Sequence, residues 1–184
     1  MRIIAGKFRG KQLSSPEDDA IRPTADRVRE SLFNILASRL GPNFDGLRVL
    51  DLFAGTGALG LEALSRGASN VVFVDTGAEA RGLIRDHIEA FGAGGVAKLL
   101  RRDATSLGPA GTMGPVDLVF LDPPYGQGLG EQALASLRAG GWLKSETLLV
   151  LEEASGATVE LPPGFVLDDR REYGAAAVHF IVLN

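Results

Sequence analysis

Cysteine is absent from this 184-residue sequence. Its absence excludes disulfides, cysteine-held zinc, iron–sulfur clusters and any thiolate nucleophile, so that chemistry must rest on oxygen, nitrogen and backbone. Histidine is nearly as scarce, with His87 and His179 the only two. Neither belongs to a close His/Asp/Glu spacing, so no metal site is expected. The pattern predicts His87 on a helix surface and His179 in a late strand. Long apolar runs are missing too: none approaches the roughly 20 residues that span a bilayer as a helix. The segment Met1-Arg2-Ile3-Ile4-Ala5-Gly6-Lys7 turns polar too soon for a secretory leader. The expectation is a soluble cytoplasmic protein without a membrane partner.

A strong excess of one charge is also lacking, since the formal net charge is −4. The distribution is uneven, however, with eight Lys/Arg against five Asp/Glu in residues 1–40 and eleven against eighteen in the remainder. Arg2, Lys7, Arg9 and Lys11 precede the first acidic residue, a small patch suited to phosphates. An ordinary solvated hairpin fits the same residues.

With 45% hydrophobic and 23% charged residues, the chain can enclose one core, and a single domain follows from its length. Residues 1–20 read as a β-hairpin extension and acidic linker, with extended pieces over 2–5 and 11–13 joined through Gly6 and Gly10. Residues 21–184 form the main domain. Val28, Leu32, Ile35 and Leu36 predict an amphipathic helix over 25–40, stopped by Gly41-Pro42. Beyond it, predicted strands over 48–53, 71–75, 96–101, 116–121 and 148–152 alternate with helices over 59–66, 78–91 and 130–139. Such alternation specifies α/β architecture, a doubly wound, mostly parallel sheet covered on both faces. Strands over 165–172 and 176–183 have no helix between them and must pair antiparallel. No exposed apolar stripe asks for a second copy, so a monomer is expected.

Two segments carry chemistry. The first strand runs through Asp51 and Phe53 into Ala54-Gly55-Thr56-Gly57-Ala58-Leu59-Gly60, whose Gly-x-Gly-x-x-Gly spacing lets a ligand approach backbone at a helix N-terminus. Asp75 closes the next strand, where a carboxylate accepts hydrogen bonds from ribose hydroxyls. NAD and S-adenosylmethionine share that ribose. Asp51 within the strand favours a cationic methionine group over a pyrophosphate, and Asp103, followed by Ala104, stands where it can accept from an adenine amino group. A buried loop-organising role for Asp51 and a helix N-cap for Asp103 are the bland alternatives. The second segment, Asp122-Pro123-Pro124-Tyr125, ends the fourth strand on the edge where open α/β sheets bind ligands. Prolines contribute carbonyls but no N–H. The Asp122 carboxylate and Pro123 carbonyl can therefore hold the two N–H groups of an exocyclic base nitrogen, and Tyr125 offers a face for stacking. A rigid turn with Tyr125 capping the core is the structural alternative.

This segment resembles the Asp/Asn-Pro-Pro-Tyr/Phe signature of amino methyltransferases acting on DNA or RNA. The segments Arg2 to Lys11 and Arg22-Pro23-Thr24-Ala25-Asp26-Arg27-Val28-Arg29-Glu30 further resemble the RsmD family of 16S ribosomal RNA guanine-N2 methyltransferases, over nearly the whole chain. The resemblance implies a Rossmann-like class I fold, S-adenosylmethionine as cofactor and 16S RNA, within a 30S subunit or its assembly intermediate, as partner. It also places Arg22, Thr24 and Arg27 beside the cleft and enlists Lys7, Arg9 and Lys11 for RNA. An adenine-N6 DNA methyltransferase and a nicotinamide oxidoreductase are the rival enzymes, and a catalytically idle RNA-binding module the rival outside catalysis.

Overall fold

The computed structural model describes residues 1–16 and 23–184. Its frame is one seven-stranded sheet built from β1 (Arg48–Leu52), β2 (Asn70–Val74), β3 (Ala97–Leu100), β4 (Val116–Leu121), β5 (Leu143–Ala154), β6 (Phe165–Tyr173) and β7 (Ala176–Leu183). The strand order is β3-β2-β1-β4-β5-β7-β6. The first five pair parallel, and β7 pairs antiparallel with both β5 and β6. Helices α1 (Pro23–Leu40), α2 (Ala58–Ser65), α3 (Ala78–Ala90) and α4 (Leu129–Ala139) cover it. Strand β5 starts five residues before the predicted 148 because Leu143 pairs with Val116 across an irregularity in the ladder, a long-range partnership invisible in local periodicity.

Side-chain alternation divides the sheet into two cores. On one face Val49, Phe73, Phe120, Val150 and Phe180 pack with Leu32, Phe33 and Leu36 of α1 and Leu61 and Leu64 of α2. On the other Leu52, Val74, Leu121 and Leu151 pack with Leu134 and Leu137 of α4 and with Trp142. Burying each such side chain contributes roughly 1.5–3 kcal/mol. Gly60 makes the α2 contact possible: a Cβ there would sit 2.5 Å from Phe73 Cε1.

The N-terminal arm is a hairpin-shaped loop with a single β-bridge, Arg2 to Gln12, instead of two strands. Its order comes from docking. Glu62 on α2 is fully buried and accepts from the backbone N–H of Ile4 (2.9 Å) and Ala5 (3.1 Å), while Ser65 Oγ accepts from Phe8 N–H and donates to the Ala5 carbonyl. Gly6 adopts φ +88° and lies so close that a Cβ would sit 1.9 Å from the Ser65 carbonyl oxygen, so no other residue fits. Arg29 of α1 joins the same carboxylate at 3.4 Å and donates to the Arg2 carbonyl.

His87 departs from expectation. Instead of facing solvent from α3, it is 4% exposed. Its Nε2 accepts from Ser14 N–H at 2.9 Å, which assigns the proton to Nδ1, 2.8 Å from the Thr56 carbonyl oxygen. The ring thus joins the end of the arm to the glycine loop. His179 lies in β7 as expected.

Candidate functional site

The order β2-β1-β4 reverses the direction of winding at β1, and the crevice of an open α/β sheet forms at the carboxyl ends of the strands on either side of such a point. Both chemical segments of the sequence lie there. A cleft of about 880 Å³ runs between them, lined among others by Asp51, Phe53, Gly55, Thr56, Asp122, Tyr125 and Glu152. The arm reaches its rim through Met1, Ser15 and Pro16, and α1 through Val28, Arg29 and Leu32.

At the glycine-loop end the chain leaves β1 through Phe53, a non-glycine residue held at φ +55°. Such backbone persists only where its surroundings enforce it, and it gathers at ligand sites. Ala54 N–H donates to the Val74 carbonyl, and Gly55 and Gly57 take φ +59° and +80°. Helix α2 then starts with no side-chain cap from Gly57. Asp51 supplies the missing acceptor from beneath: its Oδ2 takes the Gly60 N–H at 3.0 Å. This is the loop-organising role, combined with a position on the cleft wall. Burial pushes the Asp51 carboxyl up to about 8, opposed by the Gly60 N–H and assisted by the charge of Asp75.

Asp75 Oδ2 accepts from Gly55 N–H at 2.9 Å and Oδ1 from Gly77 N–H at 2.8 Å. Each oxygen keeps a further lone pair for a ligand hydroxyl. Next to it a narrow slot of about 50 Å³ is bounded by Phe53, Val74, Asp75, Thr76, Arg102, Asp103 and Ala104. Asp103 is the N-cap of a short 3₁₀ turn, accepting from Thr105 N–H and Oγ1, and those hydrogen bonds hold its carboxyl below the usual range. Both fall on Oδ1, and Asp103 lines the slot. The acceptors around this slot suit an amino group, and the neighbouring Asp75 suits a pair of hydroxyls.

At the other end, register aligns three acids. Asp51 pairs with Phe120, and Phe120 with Val150; two residues further along β4 and β5, Asp122 and Glu152 therefore project from the same face. Asp122 is exposed where it lines the cleft. Crowding by the surrounding protein, with the carboxyl groups of Glu152 and Asp51 close by, raises it well above the usual carboxylate range. Pro123 is buried and Tyr125 is 44% exposed. Glu153, buried beneath the turn, accepts from Gly126 N–H at 2.9 Å and so fixes the conformation of Asp122-Pro123-Pro124-Tyr125 from below. Neither Glu152 nor Glu153 stands out in the sequence, where they merely end an apolar strand.

The structure therefore brings Asp51, Phe53 to Gly57, Asp75, Asp103, Ala104, Asp122, Pro123 and Tyr125 to one edge of the sheet. Lys7, Arg9 and Lys11 are exposed on the arm and Arg27 on α1, outside the cleft lining. Lys7 and Lys11 lie over the Phe8 ring, at 5.1 and 6.0 Å, and Lys11 also over Phe91. Arg22 and the side chain of Thr24 lie outside the described residues.

Asp51 makes the unliganded protein pH-sensitive in a defined direction. A carboxyl raised on folding favours the folded state at acid pH, and that contribution is lost as pH rises from about 4 through 8. The expected outcome is that Asp51→Asn, which keeps an acceptor for Gly60 N–H, flattens the decline in thermal stability between pH 6 and 9. A melting series in which both proteins lose stability in parallel would refute it.

Known proteins resemble the chain throughout. The family model described as conserved hypothetical protein 95 matches residues 1–182. Ribosomal RNA small subunit methyltransferase D of Escherichia coli is 37% identical over 179 residues, covering 96% of this chain and 87% of that protein. The tRNA (guanine(6)-N2)-methyltransferase of Thermus thermophilus is 34% identical over 199 residues, covering 96% of this chain and 56% of its own length. Among solved structures, yhhF of Escherichia coli superposes with a TM-score of 0.83 at 33% identity, over 100% of this chain and 98% of that one. The fold is that of class I methyltransferases. With the family model and these identities spanning arm, glycine loop and Asp-Pro-Pro-Tyr turn alike, the chain belongs to the ribosomal RNA small subunit methyltransferase D family.

Proposed function

We propose that this chain transfers a methyl group from S-adenosylmethionine to the exocyclic N2 of a guanine in 16S ribosomal RNA. The observation that carries the reading is the single cleft joining the glycine loop to Asp122 and Tyr125. Residues that would hold the nucleoside end of the cofactor, at the slot, and residues that would hold a base, at the turn, thus border adjoining spaces, as methyl transfer to a bound base requires. S-adenosylmethionine, when bound, supplies an electrophilic methyl on a cationic sulfur. In this reading Asp75 holds the ribose, and Asp103, Phe53 and Ala104 the adenine. Ala54, Gly55, Thr56, Gly57 and Asp51 take the methionine portion, with Arg22 and Thr24 at its flank.

At the reacting end, Asp122 and the Pro123 carbonyl accept the two N–H groups of the base, and Tyr125 stacks on its ring. Stacking of this kind is worth roughly 1–3 kcal/mol. The nitrogen forms its bond to carbon as the carbon–sulfur bond breaks with its electron pair going to sulfur. The proton released from nitrogen passes to Asp122, whose raised proton affinity suits that task.

Residues 1–20 act as an extension that meets RNA, through Lys7, Arg9 and Lys11 with Arg27, and residues 21–184 as the methyltransferase domain. The protein works as a monomer in the cytoplasm on the 30S subunit or its assembly intermediate. The test is to offer labelled S-adenosylmethionine with naked 16S RNA, small subunits and DNA, followed by nucleoside analysis. N2-methylguanosine from RNA is the expected product. N6-methyladenosine, transfer to DNA, or binding of NAD in place of S-adenosylmethionine would overturn the reading. Replacing Lys7, Arg9 and Lys11 by glutamine should flatten the salt dependence of RNA binding by up to about three phosphate contacts. An unchanged slope would remove the arm from the interface.

A further inference from the structure

Glu152 has no role in holding the amino group, yet it stands beside the group that does. Strands β4 and β5 run parallel with Leu121 opposite Leu151, so the next residues, Asp122 and Glu152, emerge side by side on one face, both lining the cleft. The neighbouring acid is differently employed: Glu153 is buried and bonded to Gly126 and Ala154 N–H. Glu152 remains half-buried on the cleft side. Two carboxylates placed together repel unless a proton or a donor-rich ligand lies between them. A single amino group needs only Asp122 and the Pro123 carbonyl.

A base that brings a second donor on the same edge resolves the excess. Guanine carries N1–H directly beside its N2 amino group. Adenine carries at N1 a lone pair beside its amino group, which a carboxylate repels. We infer that Glu152 selects guanine by accepting its N1–H while Asp122 accepts from N2, the adjacent carboxyl groups reading the two donors of one Watson–Crick edge. Glu152 is thus a specificity-determining residue, and guanine rejection of other amino-bearing bases is built into the β4–β5 register.

The inference rests on guanine-N2 chemistry, and the experiment separates the two. The methylated guanine, once mapped, is replaced by 2-aminopurine in ligated 16S RNA assembled into small subunits. This base keeps the 2-amino group but carries a lone pair at N1. The wild-type protein is expected to prefer guanine by on the order of 10³-fold or more in kcat/KM, as sites built around a substrate donor reject analogues lacking it. Glu152→Gln, whose amide can donate to the N1 lone pair, should lower guanine turnover and shrink that ratio at least tenfold. Glu152→Asp, which keeps the carboxylate, should preserve the preference. If Glu152→Gln fails to fold, Glu152→Ala tests the same collapse of the ratio. A purely structural role for Glu152 predicts equal losses on both bases. An unchanged ratio in Glu152→Gln and Glu152→Ala, or wild-type protein that methylates both bases equally, would overturn the assignment while leaving guanine methylation standing. Absence of N2-methylguanosine from every substrate would instead overturn both.

Discussion

Alanine at Asp122 is expected to lower methyl transfer by roughly 10³-fold or more while leaving S-adenosylmethionine affinity within about threefold of wild type. The asymmetry follows from position. Asp122 lies at the turn, whereas the acceptors suited to the nucleoside end of the cofactor, Asp75 and Asp103, lie around the slot beyond Phe53. In the proposed reaction, removing the carboxyl deletes both an anchor for the base nitrogen and the acceptor of its proton. Asn at the same position retains one acceptor and loses the proton affinity, so Asp122→Asn should be intermediate and show a flatter dependence of kcat on pH. Single-turnover kinetics beside calorimetry make the separation. Turnover of Asp122→Ala within tenfold of wild type would remove this residue from the chemistry.

The second large effect concerns stability. Glu62 is fully buried and holds four donors: Ile4 and Ala5 N–H from the arm, Arg29 from α1 and Arg66 from its own helix. Arg29 is itself only 4% exposed. Removing one partner of a buried pair strands the other without solvent, at a cost of about 3–5 kcal/mol. For a chain of this size, Glu62→Ala should therefore lower Tm by about 10 °C. Amide exchange at Ile4, Ala5 and Phe8 should accelerate with it, because the arm loses its acceptors on α2. Combining Glu62→Met with Arg29→Met should recover part of the stability lost by Glu62→Met alone, since the buried Arg29 charge is then removed together with its partner. A shift of less than about 2 °C in the single variant would mean that the cluster contributes nothing net. The same clamp has a bearing on function: it seats the arm carrying Lys7, Arg9 and Lys11 on α2, the helix that the glycine loop begins.

Much of this was legible in the amino-acid order because it depends on local pattern. Alternating apolar runs and helical repeats specified five parallel strands, their covering helices and the antiparallel pair at the end. Backbone requirements specified the loop at Gly55 to Gly60. The stiff, acceptor-rich turn at Asp122 to Tyr125 was legible by composition, and the structure puts Asp122 and Tyr125 on the cleft. Register and docking are different in kind, since they pair residues tens of positions apart through side chains whose local sequence carries no signal. Glu152 became Asp122's neighbour only when β5 aligned with β4. His87 looked like a surface residue until Ser14 and Thr56 closed on its two nitrogens. Glu62 lies in the helix expected over 59–66, and only the folded arm gives it backbone N–H partners. The sequence by itself thus determined which chemistry the sheet edge offers, through residue types that behave alike wherever they stand. The tertiary structure alone decided which carboxylates meet, because burial and strand pairing set their proton affinities and their partners.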